Sequence, residues 1–387
     1  MSTNPVRNTK RITGKTEFAD DSHYSSEISN RAKKNFLSAM RFEQNQLTIL
    51  DQTRLPNKVT YLQLKTYQKV IAAIKELKIR GAPLIGVAGA YGLALASLKK
   101  PLNYRSYLKK VANEIKSARP TAVNLSWAID RLLPIINNPK ISDNKLSGTL
   151  ISEAIKIDRT EQENSYRIGK IGARLIKDNM TILTICNTGW LAVPGIGTAL
   201  GVIYTAHKQR KKLKVYVLET RPLLQGARLT AFELENAKIH YTLITDNMMA
   251  TIMNKVDIVL VGADRIAKNG DTANKIGTQT LAITARYYKV PFYIVAPFSS
   301  FDLTKKTGKE IVVEERNKNE VLYIRTHLIA PKRAKVYNPA FDITPNRLIT
   351  GIITEKEIIK PPFNKSIINI NNEKPNVKNT NWHGVSC

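Results

Sequence analysis

The hydrophobic residues of this chain follow one spacing before about residue 160 and another after it. In the first part, apolar residues recur at the three- and four-residue intervals of helices. A short strand and turn at 47–56 comes first, and four helix-like segments follow at 61–83, 85–100, 107–120 and 124–137. This pattern predicts a mostly helical N-terminal domain over residues 26–160.

From about residue 178 the chain alternates short β-branched runs with helix-length segments. Five runs predict strands, at 181–185, 214–220, 239–245, 256–264 and 291–297. Near-continuous apolar strands separated by helices are typical of a parallel sheet covered on both faces. We therefore expect a Rossmann-like, doubly wound α/β domain over residues 161–360. The polar ends, 1–25 and 361–387, are predicted to be disordered.

Charge and apolar runs limit the classes of partner. Sixty Lys and Arg residues against 31 Asp and Glu give a net charge of +29, but the basic residues are spread along the chain. A solvated basic surface is therefore favoured over nucleic-acid binding, and a small anionic substrate suits the charge. Two uncharged stretches, 82–98 and 180–206, are interpreted as buried core and not as membrane spans, because the longer one contains a proline and four glycines.

Cysteine usage and the N-terminus bear on location. The two cysteines, Cys186 and Cys387, cannot form a disulfide framework. The first residues lack the apolar core of a signal peptide. A reducing, cytoplasmic location is the expectation.

Reactive side chains stand where the predicted strands end. Ligands of open α/β sheets bind in the crevice at the carboxyl ends of the strands. That rule selects a set with a thiol, carboxylates and a guanidinium: Cys186, Glu219, Thr220, Arg221, Asp246, Asn247 and Asp264.

Cys186 and Asp264 are the candidates for chemistry in this set. A thiolate before a loop that leads into a helix can be stabilised by backbone N–H groups and by nearby cations. Asp264 follows a mostly apolar run, and a dry environment raises a carboxyl pKa toward the range of a general acid. A plain core cysteine and an ordinary turn aspartate remain the alternatives.

Several known sites are disfavoured by their motifs. The segment GIGTALG (195–201) imitates a dinucleotide loop, but Leu200 stands where Gly or Ala is required. Walker, HExxH and GxSxG motifs are absent, and the five histidines show no ligand spacing. We expect neither a cofactor nor a metal.

Four segments place an Arg or Lys beside a small residue at a predicted helix boundary: 79–83, 117–122, 219–231 and 269–278. Such a side chain and the free N–H groups of a helix end can bind a phosphate together. Any one could be a surface loop, but four favour a phosphorylated substrate.

Ordered strings between residues 47 and 353 resemble the methylthioribose-1-phosphate isomerases. They are LDQTRLP, IRGAPLIGVAGAYGLALA, RPTAVNLSWAIDR, ILTICNTG, GIGTALGVI, ETRPLLQGARLTAFEL, TLITDNM, VLVGADRIAKNGDTANKIGT, PFYIVAP and EER. The resemblance implies a homodimeric aldose–ketose isomerase of methionine salvage, acting on 5-methylthioribose 1-phosphate without cofactor or metal. It implies Cys186 and Asp264 as the catalytic pair. The implied substrate contacts are Arg80, Gly81, Ala82, Arg119, Gln225, Asn274 and Lys275.

The implied reaction explains these residue types. A phosphate on the anomeric carbon locks the sugar ring, so a general acid at the ring oxygen is required, and Asp264 suits that role. Hydrogen must then pass from C2 to C1. Either Cys186 carries it as a proton, or a hydride moves directly while Cys186 polarises or shields the site, and the sequence leaves both routes open.

The loop after the thiol departs from the family's pattern. Trp190, Val193 and Pro194 stand where small residues are expected, so the room for the methylthio group can differ. Two rivals share the fold. One is a ribose-1,5-bisphosphate isomerase, and the other is a non-catalytic regulatory subunit of the initiation factor 2B type.

Overall fold

The computed structural model of the chain describes residues 38–119 and 123–372, with side chains up to residue 370. The predicted disorder of 1–25 and the end of the predicted tail, 373–387, lie outside these residues. Within the tail, Phe363–Asn372 forms a helix whose Phe363, Ile367 and Ile370 are buried against the main sheet. Apolar residues at positions 363, 367 and 370 give that segment a helical face, so it departs from the prediction of disorder.

Antiparallel strands begin the described chain: β1 (Met40–Glu43), β2 (Gln46–Leu50) and β3 (Tyr61–Leu64). The sequence predicts helix from residue 61, but residues 61–64 pair with β2 instead. The helix begins later because the Thr66 side chain caps it, accepting a hydrogen bond from the Lys69 N–H at 3.4 Å. The helices that follow are α1 (Tyr67–Lys75), α2 (Ala82–Ser97), α3 (Tyr104–Lys116), α4 (Val123–Asn137) and α5 (Asp143–Ala173).

Helix α2 lies at the centre of the helical part. All of its residues are buried, and α1, α3, α4 and α5 pack around it. It accounts for the first uncharged stretch of the sequence, since every side of the helix faces protein. No helix of the described residues is long and apolar enough to cross a membrane.

The second part contains two larger sheets and a hairpin. Its strands are β4 (Thr181–Thr184), β5 (Lys214–Leu218), β6 (Tyr241–Ile244), β7 (Ile258–Val261), β8 (Arg265–Ala267), β9 (Thr272–Lys275), β10 (Phe292–Val295), β11 (Phe301–Asp302), β12 (Tyr323–Ile324), β13 (His327–Leu328), β14 (Phe341–Thr344), β15 (Gly351–Ile353) and β16 (Ile358–Ile359). Its helices are α6 (Ala199–Lys208), α7 (Ala231–Asn236), α8 (Met249–Ile252), α9 (Thr278–Tyr287), α10 (Asn319–Leu322) and α11 (Phe363–Asn372). Gly226–Thr230 forms a π-helical turn before α7.

The main sheet has the strand order β16–β15–β10–β7–β4–β5–β6, with β16 alone antiparallel to its neighbour. Its parallel strands, taken from β6 to β15, follow the order of a Rossmann fold, which confirms the predicted fold class. All five predicted strands are present. The order reverses between β4 and β7, and ligands of such sheets bind at that switch point.

In the described residues, three large apolar cores hold the helices and the main sheet together, and a small fourth one lies at the smaller sheet. One packs residues from Ala39 to Ile157 with Leu191 and Leu229. The other two cover opposite faces of the main sheet, since alternate residues such as Leu183 and Ile182 belong to different cores. Helix α5 runs through residue 160, where the sequence places the boundary between the domains, and that boundary stays a prediction.

A smaller sheet, β11–β8–β9–β14, was not predicted. Its strands are two to four residues long, and β9 is held by antiparallel pairing with β14, almost seventy residues later. Such short segments carry little alternation of apolar and polar residues. This sheet bears on function because residues 274 and 275 lie on β9.

A buried carboxylate, Glu161, and a half-buried one, Glu355, lie where α5 approaches the main sheet. Glu161 is 2% exposed and accepts hydrogen bonds from the Ser299 hydroxyl at 3.2 Å and from Asn164 Nδ2 at 3.4 Å. Burial, followed by the charge of Glu355, raises the pKa of Glu161 to about 7 against these hydrogen bonds. Burial also raises the pKa of Glu355.

The raised pKa of Glu161 predicts a loss of stability toward alkaline pH. The folded pKa of about 7 lies above the ordinary value of 4.5. The stability that the neutral carboxyl contributes is therefore complete below pH 4.5 and is lost as the pH rises through about 7. The free energy of unfolding of Glu161→Gln, taken relative to that of the wild type, is expected to increase by roughly 2–3 kcal/mol from pH 5 to pH 8. Urea unfolding at both pH values measures it, with the exposed Glu357→Gln as control, and equal pH dependence of variant and wild type would contradict it.

Candidate active site

A cavity of about 300 Å³ lies at the switch point of the main sheet. Residues that follow β4, β7 and β10 form part of its wall, as the strand-end rule predicts. The cavity brings together every site residue that the resemblance implies: Cys186, Asp264, Arg80, Gly81, Ala82, Arg119, Gln225, Asn274 and Lys275.

Cys186 stands two residues after β4 in a left-handed conformation, with φ +63°. Its backbone N–H donates to Thr220 Oγ1 at 2.8 Å, and its carbonyl accepts from the Thr230 hydroxyl at 2.6 Å. These hydrogen bonds hold a conformation that residues with a side chain rarely adopt. Arg80 Nη1 lies 4.0 Å from Sγ, so a positive charge faces the sulfur.

Arg80 links segment 79–83, the first of the four predicted phosphate-binding segments, to the segment that carries the thiol. Its Nη2 donates to Asn187 Oδ1 at 2.5 Å and to the Asn187 carbonyl at 2.9 Å. The residue is 8% exposed, and among the described residues its Nε has no hydrogen-bond partner. A buried guanidinium with an unused donor is suited to binding an anionic ligand.

Asp264 stands three residues after β7, among cations. Burial raises the pKa of its carboxyl above the usual 3.8, and the charges of Arg119, Lys275 and Arg80 oppose that rise. Burial in the same region lowers the pKa of Lys275 and of Arg119. A carboxyl whose neutral form is favoured can donate a proton as a general acid.

Gly81 allows segment 79–83 to lie close to the backbone of Ala192, which follows the thiol in the chain. It caps helix α2 with φ +90°, and a Cβ at this position would lie 2.2 Å from the Ala192 carbonyl oxygen. The same carbonyl accepts a hydrogen bond from the Leu84 N–H at 3.2 Å. Gly81 and Ala82 therefore present the N-terminus of α2 to the cavity, a position that suits a phosphate.

Gln225, Asn274 and Lys275 reach the cavity from other elements. Gln225 precedes the π-helical turn, is 5% exposed, and its Oε1 has no partner within the described parts of the chain. Asn274 Nδ2 donates to Thr278 Oγ1 at 3.0 Å, and Lys275 Nζ lies 5.4 Å from the centre of the Phe341 ring. The sequence places 274 and 275 at a helix boundary, whereas the structure places both on β9.

The cavity is also lined by three residues that were not predicted as site residues, Gln52, Arg228 and Arg316. Arg228 donates to the Gln52 carbonyl at 2.8 Å, and Arg316 pairs with Glu320 at 2.6 Å. Each of the three lies inside a string that carries the family resemblance, and that was the available signal.

The cavity is strongly basic. Its described lining has two carboxylates, Glu76 and Asp264, against five cations: Arg80, Arg119, Arg228, Lys275 and Arg316. Such a surplus in a concave site attracts anions such as phosphate. Across residues 38–119 and 123–370, no group of three His, Cys, Asp or Glu side chains is placed to hold a metal ion.

The other strand-end candidates lie behind the thiol. Thr220 holds the Cys186 N–H, and Asp246 accepts hydrogen bonds from the N–H groups of Thr220 and Arg221 at 2.8 and 2.7 Å. Neither they nor Glu219 and Asn247 belong to the described cavity lining. Thr220, held in turn by Asp246, therefore supports the Cys186 backbone from outside the cavity.

The three unusual residues that follow the thiol have different surroundings. Val193 lines the cavity, whereas Trp190 packs against the apolar core of the helical part. Pro194 is buried outside the described lining. Among the three, Val193 is therefore the residue that limits the room for a ligand.

The fold and the cavity together define a class of protein. It joins a Rossmann-type sheet to a bundle of helices and places a thiol, a carboxyl and several cations at the switch point. Comparison with known families gives this class a name, because the initiation factor 2 subunit family matches residues 78–361.

Relatives that align with this chain over almost their whole length are methylthioribose-1-phosphate isomerases. The methylthioribose-1-phosphate isomerase of Carboxydothermus hydrogenoformans is 48% identical over 339 residues, covering 86% of this chain and 98% of that protein. The isomerase of the same name from Dehalococcoides mccartyi is 50% identical over 331 residues, covering 84% and 98%.

Solved structures agree with both levels of the assignment. The 5-methylthioribose 1-phosphate isomerase from Pyrococcus horikoshii OT3 superposes with a TM-score of 0.79 at 38% identity, covering 87% of this chain and 96% of that one. Subunit delta of translation initiation factor eIF-2B from A. fulgidus gives 0.75 at 40% identity, covering 87% and 99%. The chain belongs to the initiation factor 2 subunit family, and within it to the methylthioribose-1-phosphate isomerases.

Proposed function

We propose that this protein converts 5-methylthioribose 1-phosphate into 5-methylthioribulose 1-phosphate, an aldose–ketose isomerisation in methionine salvage. The observation that carries the proposal is the meeting of Cys186 and Asp264 in one basic cavity. The names of the relatives supply the substrate. The proposed catalytic pair is Cys186 and Asp264.

The first chemical step is opening of the sugar ring. A phosphate on the anomeric carbon keeps the ring closed, so the ring oxygen must receive a proton as the bond to C1 breaks. Asp264 donates that proton, because burial favours its neutral form. The proposed substrate contacts, which share the cavity wall with it, are Arg80, Gly81, Ala82, Arg119, Gln225, Asn274 and Lys275.

The second step moves hydrogen from C2 to C1. Breaking the bond from C1 to the ring oxygen leaves C1 as an oxocarbenium carbon and Asp264 as a carboxylate. In the proton route, the Cys186 thiolate removes the proton from C2 to form an enol phosphate, the C2 hydroxyl gives its proton to the Asp264 carboxylate, and Cys186 returns its proton to C1. In the hydride route, hydrogen moves with its electron pair from C2 to C1 while the C2 hydroxyl gives its proton to the Asp264 carboxylate, and Cys186 polarises or shields the site. Loss of deuterium to water from a substrate labelled at C2 would identify the proton route, since only that route lets the label exchange.

Purified protein is expected to turn over 5-methylthioribose 1-phosphate with a chelator present, as followed by ¹H NMR of the sugar. Ribose 1,5-bisphosphate is the matched comparison. Turnover of that compound alone would overturn the proposed substrate. A folded protein that is inactive on both compounds would favour the non-catalytic regulatory role. That role is an alternative because one structural neighbour is named as an initiation-factor subunit.

We propose a cytoplasmic homodimer as the working form of the protein, with the helical domain at 26–160 and the Rossmann-like domain at 161–360. Support for an assembly comes from the family, one member of which is described as a tetrameric complex of beta and delta subunits. Sedimentation at micromolar concentration tests the dimer, and a mass equal to one chain of 43.4 kDa would contradict it.

A further inference from the structure

Glu233 on α7 is a buried carboxylate beside the cavity that the proposed chemistry does not use. Its side chain has no exposed surface. Oε1 accepts hydrogen bonds from Asn187 Nδ2 at 2.8 Å and from the Leu191 N–H at 3.1 Å. Oε2 accepts from the Trp190 N–H at 2.9 Å and from the Tyr204 hydroxyl at 2.8 Å. A buried polar group whose hydrogen bonds are fully satisfied makes its surroundings rigid.

Most of these donors belong to one segment, residues 187–191, which we call the thiol loop because it follows Cys186. The loop is closed around the carboxylate. At Gly189 a Cβ would lie 1.8 Å from Glu233 Oε2, so that position has no room for a side chain. Burial raises the pKa of Glu233, and its four hydrogen bonds oppose the rise.

Asn187 passes this arrangement on to the cavity. A guanidinium can only donate hydrogen bonds, so the amide oxygen of Asn187 faces Arg80 and the amide nitrogen faces Glu233. That oxygen accepts from Arg80 Nη2 at 2.5 Å, and Arg80 Nη1 lies 4.0 Å from Cys186 Sγ. The direction of one amide therefore connects the buried carboxylate with the guanidinium beside the thiol.

The backbone at residues 191 and 192 also binds Gln52 and the start of α2. The Leu191 carbonyl accepts a hydrogen bond from Gln52 Nε2 at 2.6 Å. Next to it, the Ala192 carbonyl accepts from the Leu84 N–H at 3.2 Å. Holding the N–H groups of 190 and 191 thus fixes carbonyls that bind both Gln52 and the start of α2.

We propose that Glu233 is a positioning residue that holds the thiol loop and, through Asn187, sets the Arg80 guanidinium against the Cys186 sulfur. Its effect on turnover rests on the proposed function. Its effect on the thiol does not, because alkylation of the sulfur can be measured without substrate.

The test compares alkylation of Cys186 by iodoacetamide at pH 7 and pH 9.5 in a Cys387→Ser background, where it is the chain's single thiol. The ratio is the alkylation rate at pH 9.5 divided by the rate at pH 7. It rises when the thiolate is less stabilised, and changes in access of the reagent to the sulfur cancel from it. In Glu233→Gln a carboxamide NH₂ faces another N–H group, the thiol loop shifts, and Arg80 loses its place. The ratio is expected to rise about threefold to tenfold over the parent.

Further variants separate positioning from general damage. Arg80→Gln is expected to raise the ratio by a similar factor, and the double variant by no more than either alone. Glu161→Gln, which changes a buried carboxylate bound to Ser299 and Asn164, is expected to leave the ratio unchanged. Tyr204→Phe removes the donor outside the thiol loop and is also expected to keep the parent ratio.

An unchanged ratio in folded Glu233→Gln, or factors that multiply in the double variant, would overturn the proposal. Should Glu233→Gln not fold, Asn187→Leu cuts the link to Arg80 while the loop N–H groups keep their acceptor, and an unchanged ratio there has the same force. With substrate, Glu233→Gln is expected to lower kcat/KM about tenfold or more. A wild type without turnover but with the expected ratios would reject the proposed function and leave the positioning role standing.

Discussion

Cys186→Ser is expected to lower turnover of 5-methylthioribose 1-phosphate by roughly three orders of magnitude while leaving the chain folded. An alcohol is a much weaker acid than a thiol, so serine carries no useful population of anion near neutral pH. The fold has little reason to change. The hydrogen bonds to Thr220 and Thr230 that hold this residue come from its backbone, and serine is nearly isosteric with cysteine.

The measurement is kcat with saturating substrate, beside a thermal unfolding curve for each variant. Cys387→Ser is the matched control, since it makes the same change at the other cysteine, and it should keep wild-type turnover. A Cys186→Ser enzyme with near-normal kcat would remove the thiol from the chemistry. The plain core cysteine, left open by the sequence, would then be the correct interpretation.

The sequence predicted the part of the fold that follows from local pattern. The apolar runs at 181–185 and 256–264 are strands because both of their faces are buried in cores, and a run of that kind needs no distant information to be recognised. Once the strands are placed, the strand-end rule alone brings Cys186 and Asp264 to one crevice.

Residues placed by distant pairing were beyond the reach of pattern. Asn274 and Lys275 lie on β9 because residues 341–344 pair with that strand, and nothing near 274 announces it. Residues 61–64 likewise belong to a helical pattern in the sequence, but in the structure they pair with β2. Pairing across long stretches of chain overrode local propensity in both cases.

Glu233 shows the same limit within a single helix turn. Its neighbour Glu235 has the same chemistry and is exposed, whereas Glu233 has no exposed surface. What distinguishes them is the docking of α7 against the thiol loop, where four donors converge on one carboxylate. Glu233 lies in the string ETRPLLQGARLTAFEL, but its role in holding the thiol loop can be inferred only from the contacts of the folded chain.

Asp264→Asn is expected to lower kcat/KM by about two to four orders of magnitude, the range typical of a lost general acid. Asparagine keeps the shape of the side chain and can still donate a hydrogen bond to the ring oxygen, but it has no proton to transfer. The chain should remain folded, because the variant replaces a carboxyl whose burial already disfavours its charge.

The pH profile separates acid catalysis from a loss of binding. Burial and the charge of Glu314 raise the pKa of Asp264, while Arg119, Lys275 and Arg80 lower it, with burial the largest effect. Since the neutral carboxyl is the active form, wild-type kcat/KM should fall as the pH rises through that raised pKa. The residual activity of Asp264→Asn should lack this decline. A variant that lost activity but kept the same alkaline decline would assign the titrating acid to another residue, and Asp264 would then be a ligand for the substrate and not its proton donor.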